Sequence, residues 1–415
     1  CRDTISRERA PAAWHGRRDG IWRCASLLKF SLFILSFFFI SYIFTLVNKL
    51  SRMNKSDNNR RNFLTKLAFG TAALATAPIV GSFTSKEESD KKIEEMKEQS
   101  IQKVRALGFQ WETLDPFLFC VHHEDAYPKG NDEMGPAEGL SGRPLGNDFH
   151  IKDGYRMYHG KSVPGFPGHP HRGFETLTVV RKGLVDHADS FGGAGRYGNG
   201  DLQWMTAGKG LMHSEMFPLL KKDADNPLEL FQIWLNLPRK SKMVTPDYKM
   251  FWSEDIPNFE PHSGVHVEVL AGKVFGKESP TPPAASWASD PSNYVGVFNF
   301  KLDPNTIFTL PAVAEGINRT IYFYEGNGLT IEGQQIPAYH AVDVLSHSNL
   351  NISSPEGALK FLILQGRPIS EPVVQHGPFV MNSRQEIQEA FQDYQHDQFG
   401  GWPWSRYDQV HERSR

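Results

Sequence analysis

The chain has 415 residues, 40% of them hydrophobic and 12% aromatic, which is enough for two or three domains with large cores. Its formal net charge of −2 argues against a protein that binds nucleic acid or an anionic surface through charge. The three cysteines, Cys1, Cys24 and Cys120, contain no Cys-x-x-Cys pair, so a thiolate zinc site is not expected. If the first two lie outside the mature protein, no internal disulfide can form.

The N-terminal region carries two candidate targeting segments. Residues 30–47 form an almost unbroken apolar run, close to the lower limit of about 17 residues for a membrane helix. Further on, the pair Arg60-Arg61 precedes a mildly apolar stretch at residues 67–80, as in a twin-arginine export signal. We therefore expect a twin-arginine-like signal at residues 53–85 and a periplasmic or exported protein.

Two such segments in tandem are unusual in one chain. We expect Met53, the first residue of the second segment, to be the natural start and interpret residues 1–52 as upstream extension. The alternative is a membrane anchor formed by residues 30–47. Residues 86–103, which are charged and helix-prone, are predicted to be a linker to the body of the protein.

From about residue 104 the pattern is that of β-strands. Short apolar or alternating runs are separated by turn residues, which favours a sandwich or barrel. Helical periodicity is scarce until residues 383–396, where one apolar face is formed by Ile387, Ala390, Phe391 and Tyr394. The sequence thus predicts an all-β body, followed by a short C-terminal helix and a tail over residues 383–415.

Four potential metal ligands occur as two pairs within the strand-rich region: His169 with His171, and His213 with Glu215. In a strand, residues i and i+2 point to the same face, so two adjacent strands would direct three imidazoles and one carboxylate at one point. This set suits iron, and also manganese, nickel, copper or zinc, with room for solvent, oxygen or substrate. The alternative is that these polar residues only close strand ends through hydrogen bonds.

The second half of the body weakly repeats the first. Residues 174–183 can be laid on residues 317–326. Under this overlay the four potential ligands are replaced by Ala312, Ala314, Pro355 and Gly357. The repeat therefore predicts a second barrel that lacks a metal site.

Several motifs spread over residues 105–404 accompany these ligands. They are Asp115-Pro-Phe117, His169-Pro-His-Arg-Gly-Phe-Glu-Thr176, Gln203-Trp-Met-Thr-Ala-Gly-Lys-Gly210, His213-Ser-Glu215 and Glu371-Pro-Val-Val-Gln375. Together they resemble the signature of the pirin family within the cupins. The resemblance implies a bicupin, with a metal-binding barrel at residues 104–245 and a barrel without metal ligands at residues 260–382.

The resemblance also implies a cofactor and an activity. One Fe(II) would be held by His169, His171, His213 and Glu215, although other first-row divalent metals remain open. Some pirins open the flavonol quercetin with molecular oxygen and release carbon monoxide. We therefore expect a quercetin 2,3-dioxygenase-like oxidoreductase that acts with oxygen on a flavonol or a related enol or phenol, with Glu215 as general base.

Other pirins are transcription cofactors whose iron state alters partner binding. The alternative function is thus a non-catalytic, metal-dependent binding or redox-sensing protein that acts through a partner. The export signal argues against a nuclear role. We expect a monomer whose partners are a small aromatic or enolic substrate and oxygen, without nucleic acid, and with membrane contact only through the N-terminal signal or anchor.

Other polar residues of the body could also belong to the site. Glu175 competes with Glu215, but His213-Ser-Glu215 is the pirin pattern, so Glu175 is predicted to accept a hydrogen bond from a ligand imidazole. His122 and His123 are predicted to be surface residues, with the pocket mouth as the alternative. The histidines without paired spacing are expected to be structural or exposed: His150, His159, His187, His262, His266, His340, His347 and His376.

Overall fold

The computed structural model describes residues 100–412. The predicted signal at residues 53–85, the apolar segment at 30–47 and residues 86–99 of the predicted linker lie outside these residues. Among the described residues, no helix combines the length and apolarity needed to cross a membrane.

The described residues form an all-β fold with one C-terminal helix, as predicted. The first strands are β1 (Ile101–Ala106), β2 (Gln110–Trp111), β3 (Phe117–Tyr127), β4 (Gly165–His171), β5 (Phe174–Lys182), β6 (Leu184–Asp189), β7 (Ala194–Gly198), β8 (Leu202–Thr206), β9 (Leu211–Met216), β10 (Asn226–Asn236) and β11 (Asp247–Phe251). They are followed by β12 (Asn258–His262), β13 (Val265–Ala271), β14 (Lys273–Val274), β15 (Lys277–Glu278), β16 (Gly296–Leu302), β17 (Thr306–Leu310), β18 (Asn318–Glu325), β19 (Thr330–Ile331), β20 (Gln334–Gln335), β21 (His340–Val344), β22 (Leu350–Ser354), β23 (Leu359–Gly366), β24 (Val374–His376) and β25 (Phe379–Met381). The helix is α1 (Arg384–Asp397), and short 3₁₀ helices cover Arg239–Ser241, Trp287–Ser289, Pro291–Asn293 and Gln398–Gly400.

The strands build two barrels of the same design. In the first, a six-stranded sheet of order β11-β8-β5-β10-β3-β2 faces a four-stranded sheet of order β4-β9-β6-β7. In the second, a seven-stranded sheet of order β1-β21-β18-β23-β16-β13-β12 faces a sheet of order β17-β22-β19-β20. The central order β8-β5-β10-β3 recurs as β21-β18-β23-β16, which is the two-cupin architecture expected from the repeat.

The two large sheets pack against each other through a shared apolar core. Because successive side chains of a strand point to opposite faces, one face of each large sheet lines the interior of its own barrel and the other face lies in this interface. Leu177 and Trp204 of the first barrel and Leu362 of the second lie in the shared core, and Trp111 stacks on Tyr322 with ring centroids 5.2 Å apart. The barrels therefore form one body around a common core.

Strand β1 departs from the predicted domain order. It spans the end of the predicted linker and the start of the predicted first barrel, yet it pairs with β21 of the second barrel, with Val104 opposite Val342. Arg105 adds an ion pair with Asp343. Periodicity can show that such a segment is a strand, but it does not show which sheet the strand joins. The predicted start of the first barrel at residue 104 was therefore wrong, because residues 104–106 belong to the sheet of the second barrel.

Helix α1 ends the second half and packs on the first barrel. The hydroxyl oxygen of Ser383 accepts a hydrogen bond from the backbone N–H of Glu386 at 3.2 Å and so caps the helix. The predicted apolar face is buried, and Ala390 and Tyr394 share a cluster with Met212 of β9. The segment after the helix continues along the first barrel, where Trp404 donates to the carbonyl oxygen of Asp189 at 2.8 Å.

Candidate metal centre

The two histidine-bearing strands lie side by side. Strands β4 and β9 pair antiparallel, and His169 stands directly opposite His213. Because His171 follows at i+2, its ring turns to the same face, and the ring centroids of the three imidazoles are 4.4–4.9 Å apart. One nitrogen from each of His169, His171 and His213 lies within 4.8 Å of the others, and this is the group of potential ligands found among residues 100–412.

Glu215 lies at the edge of this group, next to His213. Its Oε2 atom is 3.9 Å from Nε2 of His213. Its Oε1 atom accepts a hydrogen bond from the hydroxyl of Thr178 at 2.7 Å, and the amide of Gln232 donates to Oε2 at 3.4 Å. Burial raises the pKa of this carboxyl. The four residues singled out in the sequence are thus neighbours inside one barrel.

The ring nitrogens are arranged for a metal ion. Nδ1 of His169 donates to the carbonyl oxygen of Pro167 at 3.0 Å, which leaves Nε2 as the lone-pair nitrogen. Both ring nitrogens of the buried His213 have no hydrogen-bond partner in the described part of the chain. Burial lowers the pKa of His169 to about 4 and the pKa values of His171 and His213 well below 6.5, so all three imidazoles are neutral, as metal binding requires. The donor set fits a first-row divalent metal.

Aromatic side chains enclose one side of the centre. The ring of His171 lies edge-on to Phe174 and Trp234, with centroid distances of 5.1 and 5.3 Å. Phe166 approaches His169, which is the partly exposed member of the three histidines. Met205, Met212 and Trp204 are also buried, and Trp204 belongs to the inter-barrel core.

His187 is a neighbour of the site that sequence reasoning missed. It stands opposite Glu215 in the β6–β9 register, and its ring centroid is 5.6 Å from that of His213. Its Nε2 atom is 3.2 Å from Oδ2 of Asp189. The spacing of His187 and Asp189, two residues apart in a predicted strand, was the available signal, since it repeats the pattern of the two ligand pairs.

Glu175 does not occupy the predicted position. Its neighbours Thr176 and Thr178 lie on the other face of β5, whereas Glu175 is on the same side as Leu177, toward the inter-barrel core. Its carboxylate oxygens accept hydrogen bonds from the hydroxyls of Thr206 at 2.6 Å and Ser286 at 2.5 Å. The predicted hydrogen bond to a ligand imidazole was therefore wrong, and Glu175 connects the two barrels.

His122 and His123 are not surface residues. Both lie in β3, where they stand opposite Phe231 and Leu230 of β10 in the large sheet of the first barrel. His123 is buried, with Nδ1 2.8 Å from the hydroxyl of Tyr158, and His122 stacks on Phe231 with a centroid distance of 4.6 Å. The expectation of a polar surface segment was wrong because the polar residues of this strand are matched by buried partners.

The second barrel has apolar residues where the first has its three histidines. Strands β17 and β22 are the counterparts of β4 and β9, and they pair Phe308 with Ile352 and Leu310 with Leu350. When the strands are aligned on their last pairs, Phe308 and Ile352 take the places of His169 and His213. The sequence overlay predicted Ala312 and Pro355 at these places, but Ala312 follows β17 in a loop and Pro355 lies just beyond the end of β22.

Comparison with known proteins agrees with this architecture. The family model "Pirin" matches residues 98–235, and "Pirin C-terminal cupin domain" matches residues 297–400. A pirin-like protein of Solanum lycopersicum is 39% identical over 234 residues, which cover 56% of this chain and 75% of that protein. Human pirin is 35% identical over 241 residues, which cover 57% of this chain and 78% of that protein.

Among solved structures, quercetin 2,3-dioxygenase from Acinetobacter baumannii superposes with a TM-score of 0.59 and 26% sequence identity. The match covers 73% of this chain and 98% of that protein. The two successive family-model matches, the relatives above 30% identity and the paired barrels lead to one conclusion: the chain belongs to the pirin family.

Proposed function

We propose that this protein is an iron(II)-dependent dioxygenase that opens an electron-rich enol or phenol, with quercetin-like flavonols as the substrate class. The observation that carries the proposal is the convergence of His169, His171 and His213, with Glu215 beside them, in a buried site. Similarity to a solved protein that is named quercetin 2,3-dioxygenase supports this choice of reaction.

The three neutral imidazoles and the Glu215 carboxylate are the groups that would hold the ion. When bound, a divalent metal of this kind supplies Lewis acidity that lowers the pKa of a coordinated hydroxyl. The bond from His169 to Pro167 fixes one imidazole in place before any metal or substrate arrives. Because His169 is the partly exposed ligand, we propose that substrates approach from its side.

Glu215 is the proposed general base. Its pKa is raised by burial, so the carboxylate has a greater affinity for a proton than an exposed glutamate. The hydroxyl of Thr178 and the amide of Gln232 hold it beside His213. In this position it can take the proton of the flavonol 3-hydroxyl, and such help typically contributes a factor of about 10²–10⁴ in rate.

The surroundings of the centre suit a flat aromatic substrate. Phe174 and Trp234 pack together with a centroid distance of 4.0 Å and form an apolar wall next to His171. Apolar walls with a few placed polar groups are the usual composition of small-molecule sites. The same wall would limit the access of water to the reacting carbons.

The test is a single-turnover experiment. Protein loaded with Fe(II) without oxygen is mixed with quercetin and then exposed to air. We expect the flavonol absorbance to decay and carbon monoxide to be released in a comparable amount. His171→Ala should remain inactive, whereas His340→Ala, in the second barrel, should react like the parent. Iron-loaded protein that leaves quercetin unchanged would contradict the proposal and favour the redox-sensing alternative.

A further inference from the structure

A buried arginine stands at one end of the second barrel. Arg319 lies on β18 and is only 3% exposed. Its Nε atom donates to the side-chain oxygen of Gln365 at 2.9 Å, and its Nη1 atom donates to the carbonyl oxygen of Pro311 at 3.1 Å. Both acceptors are neutral, so the guanidinium charge is held in place without being compensated.

Each of the other buried arginines in the described part of the chain forms an ion pair with a carboxylate. Arg143 pairs with Asp148 at 2.9 Å, and Arg156 pairs with Asp125 at 3.1 Å. Arg172 pairs with Asp393 at 2.8 Å. Within residues 100–412 no carboxylate forms such a pair with Arg319, and burial lowers its pKa to about 10. A buried cation without a carboxylate partner is costly to the fold, which points to a role other than stability.

The position of Arg319 in the fold suggests that role. A register irregularity at Val180 in β5 recurs at Phe323 in β18, so the two strands can be aligned on it. Arg319 and its partner Gln365 then correspond to Thr176 and Trp234 of the first barrel. Trp234 contacts the ligand imidazole of His171. The second barrel thus carries a fixed organic cation at the level where the first carries its metal ligands.

The donors that remain on Arg319 define the ligand. A guanidinium has five N–H bonds. Gln365 and Pro311 accept from Nε and Nη1, and the hydrogen bonds of Arg319 in the described part of the chain do not involve Nη2. The face formed by Nη1 and Nη2 matches the two oxygens of a carboxylate. Its neighbours on the same faces, Ile321 of β18 and Ile363 of β23, belong to the apolar core of the barrel.

We propose that the second barrel binds a small organic monocarboxylate through Arg319. One cation compensates one negative charge, and the apolar surroundings favour a ligand with an apolar body over an inorganic phosphate. This site is separate from the metal centre and does not depend on the reaction proposed for it.

Thermal unfolding of the full-length, metal-loaded protein tests the proposal. Benzoate is the probe, and benzamide is its uncharged counterpart, with sodium chloride at matched ionic strength. Benzoate should raise the unfolding temperature by a few degrees and benzamide should not, because only the anion stabilises the folded state through the guanidinium. Equal shifts with the two compounds, or no shift with either, would overturn the proposal.

Variants assign the effect to one side chain. Arg319→Met should lose the benzoate shift, while its unfolding temperature without ligand should equal or exceed that of the parent, since an uncompensated buried cation has been removed. Arg105→Met, which removes a paired arginine from the same sheet, should keep the shift. His171→Ala should also keep it, which separates this site from the metal centre. A full shift in Arg319→Met would refute the assignment.

Arg319→Lys covers the case in which the methionine variant does not fold. Lysine keeps the charge but cannot present two parallel donors, so benzoate affinity should fall about tenfold. Unchanged affinity in this variant would contradict the proposed geometry.

Discussion

Nδ1 of His169 donates a hydrogen bond to the carbonyl oxygen of Pro167, two residues earlier on the same strand. A carbonyl can only accept, so the proton is on Nδ1 and the lone pair is on Nε2. The β4–β9 register shifts just before His169, between Phe166 and His169. This irregularity places Pro167 beside the ring that it orients, and the backbone itself presets the first ligand of the centre.

The first prediction concerns metal content. Purified protein should contain about one first-row transition metal per chain, and we expect elemental analysis to identify it as iron. His171→Ala should lose it, because changes even in residues that only support ligands cost about 10–100-fold in affinity, and His171 is itself a ligand. His340→Ala is the control and should keep its metal. Full metal occupancy in His171→Ala would show that the centre lies elsewhere.

The second prediction separates binding from chemistry at Glu215. Glu215→Gln should keep part of the metal, since an amide oxygen can still coordinate weakly, but should lose about 10²–10⁴-fold in rate per bound metal because an amide cannot take the proton. Glu175→Gln is the matched control. Because Glu175 faces the inter-barrel core, this variant should react at the parental rate per bound metal. Parental turnover in Glu215→Gln would exclude the base role.

The third prediction concerns pH and Glu175. Burial raises the pKa of this carboxyl from 4.5 to about 7. Between these values the folded chain keeps a proton that the unfolded chain has released, so the free energy of unfolding falls as pH rises through this window and levels off above it. The loss is at most about 3 kcal/mol.

Glu175→Gln removes this titration. Urea unfolding of the parent and the variant at several pH values should show the variant gaining stability relative to the parent as pH rises from about 4.5 to about 7. A difference that does not change with pH would mean that Glu175 titrates normally in the folded protein.

The fourth prediction concerns export, for which the twin-arginine-like signal at residues 53–85 remains our proposal. Replacing Arg60 and Arg61 by lysine should leave an uncleaved, folded precursor in the cytoplasm of a bacterial host. Cell fractionation with antibody detection measures the distribution. A normal periplasmic yield from the double-lysine variant would indicate another route.

The sequence was sufficient where the position of a side chain depends only on alternation within one strand. The spacing of His169 and His171 and of His213 and Glu215 was sufficient to expect one shared face, and the structure brings the four residues together. Glu175 could not be placed in this way. It is only one residue from Thr176, but strand alternation turns it away from the centre, and its partner Ser286 is 111 residues further along the chain.

Long-range pairing limited the prediction of the fold in the same manner. The repeat gave two barrels, and the β5–β18 overlay agrees with the register irregularity that both strands contain. The overlay failed at β17 and β22, because the loops before and after them differ in length from those of the first barrel. Neither hydrophobic periodicity nor composition records such differences, so Phe308 and Ile352 were missed.

The pairing of β1 with β21 also has a consequence for biosynthesis. Residues 101–106 leave the ribosome before either barrel exists, but their partner strand at residues 340–344 is made more than two hundred residues later. Throughout that interval β1 has unsatisfied backbone donors and acceptors, which are open to pairing with other chains. The second barrel is completed by the earliest strand of the body, so β1 can pair only after β21 has been made, and a nascent chain that stalls between them would be exposed to aggregation.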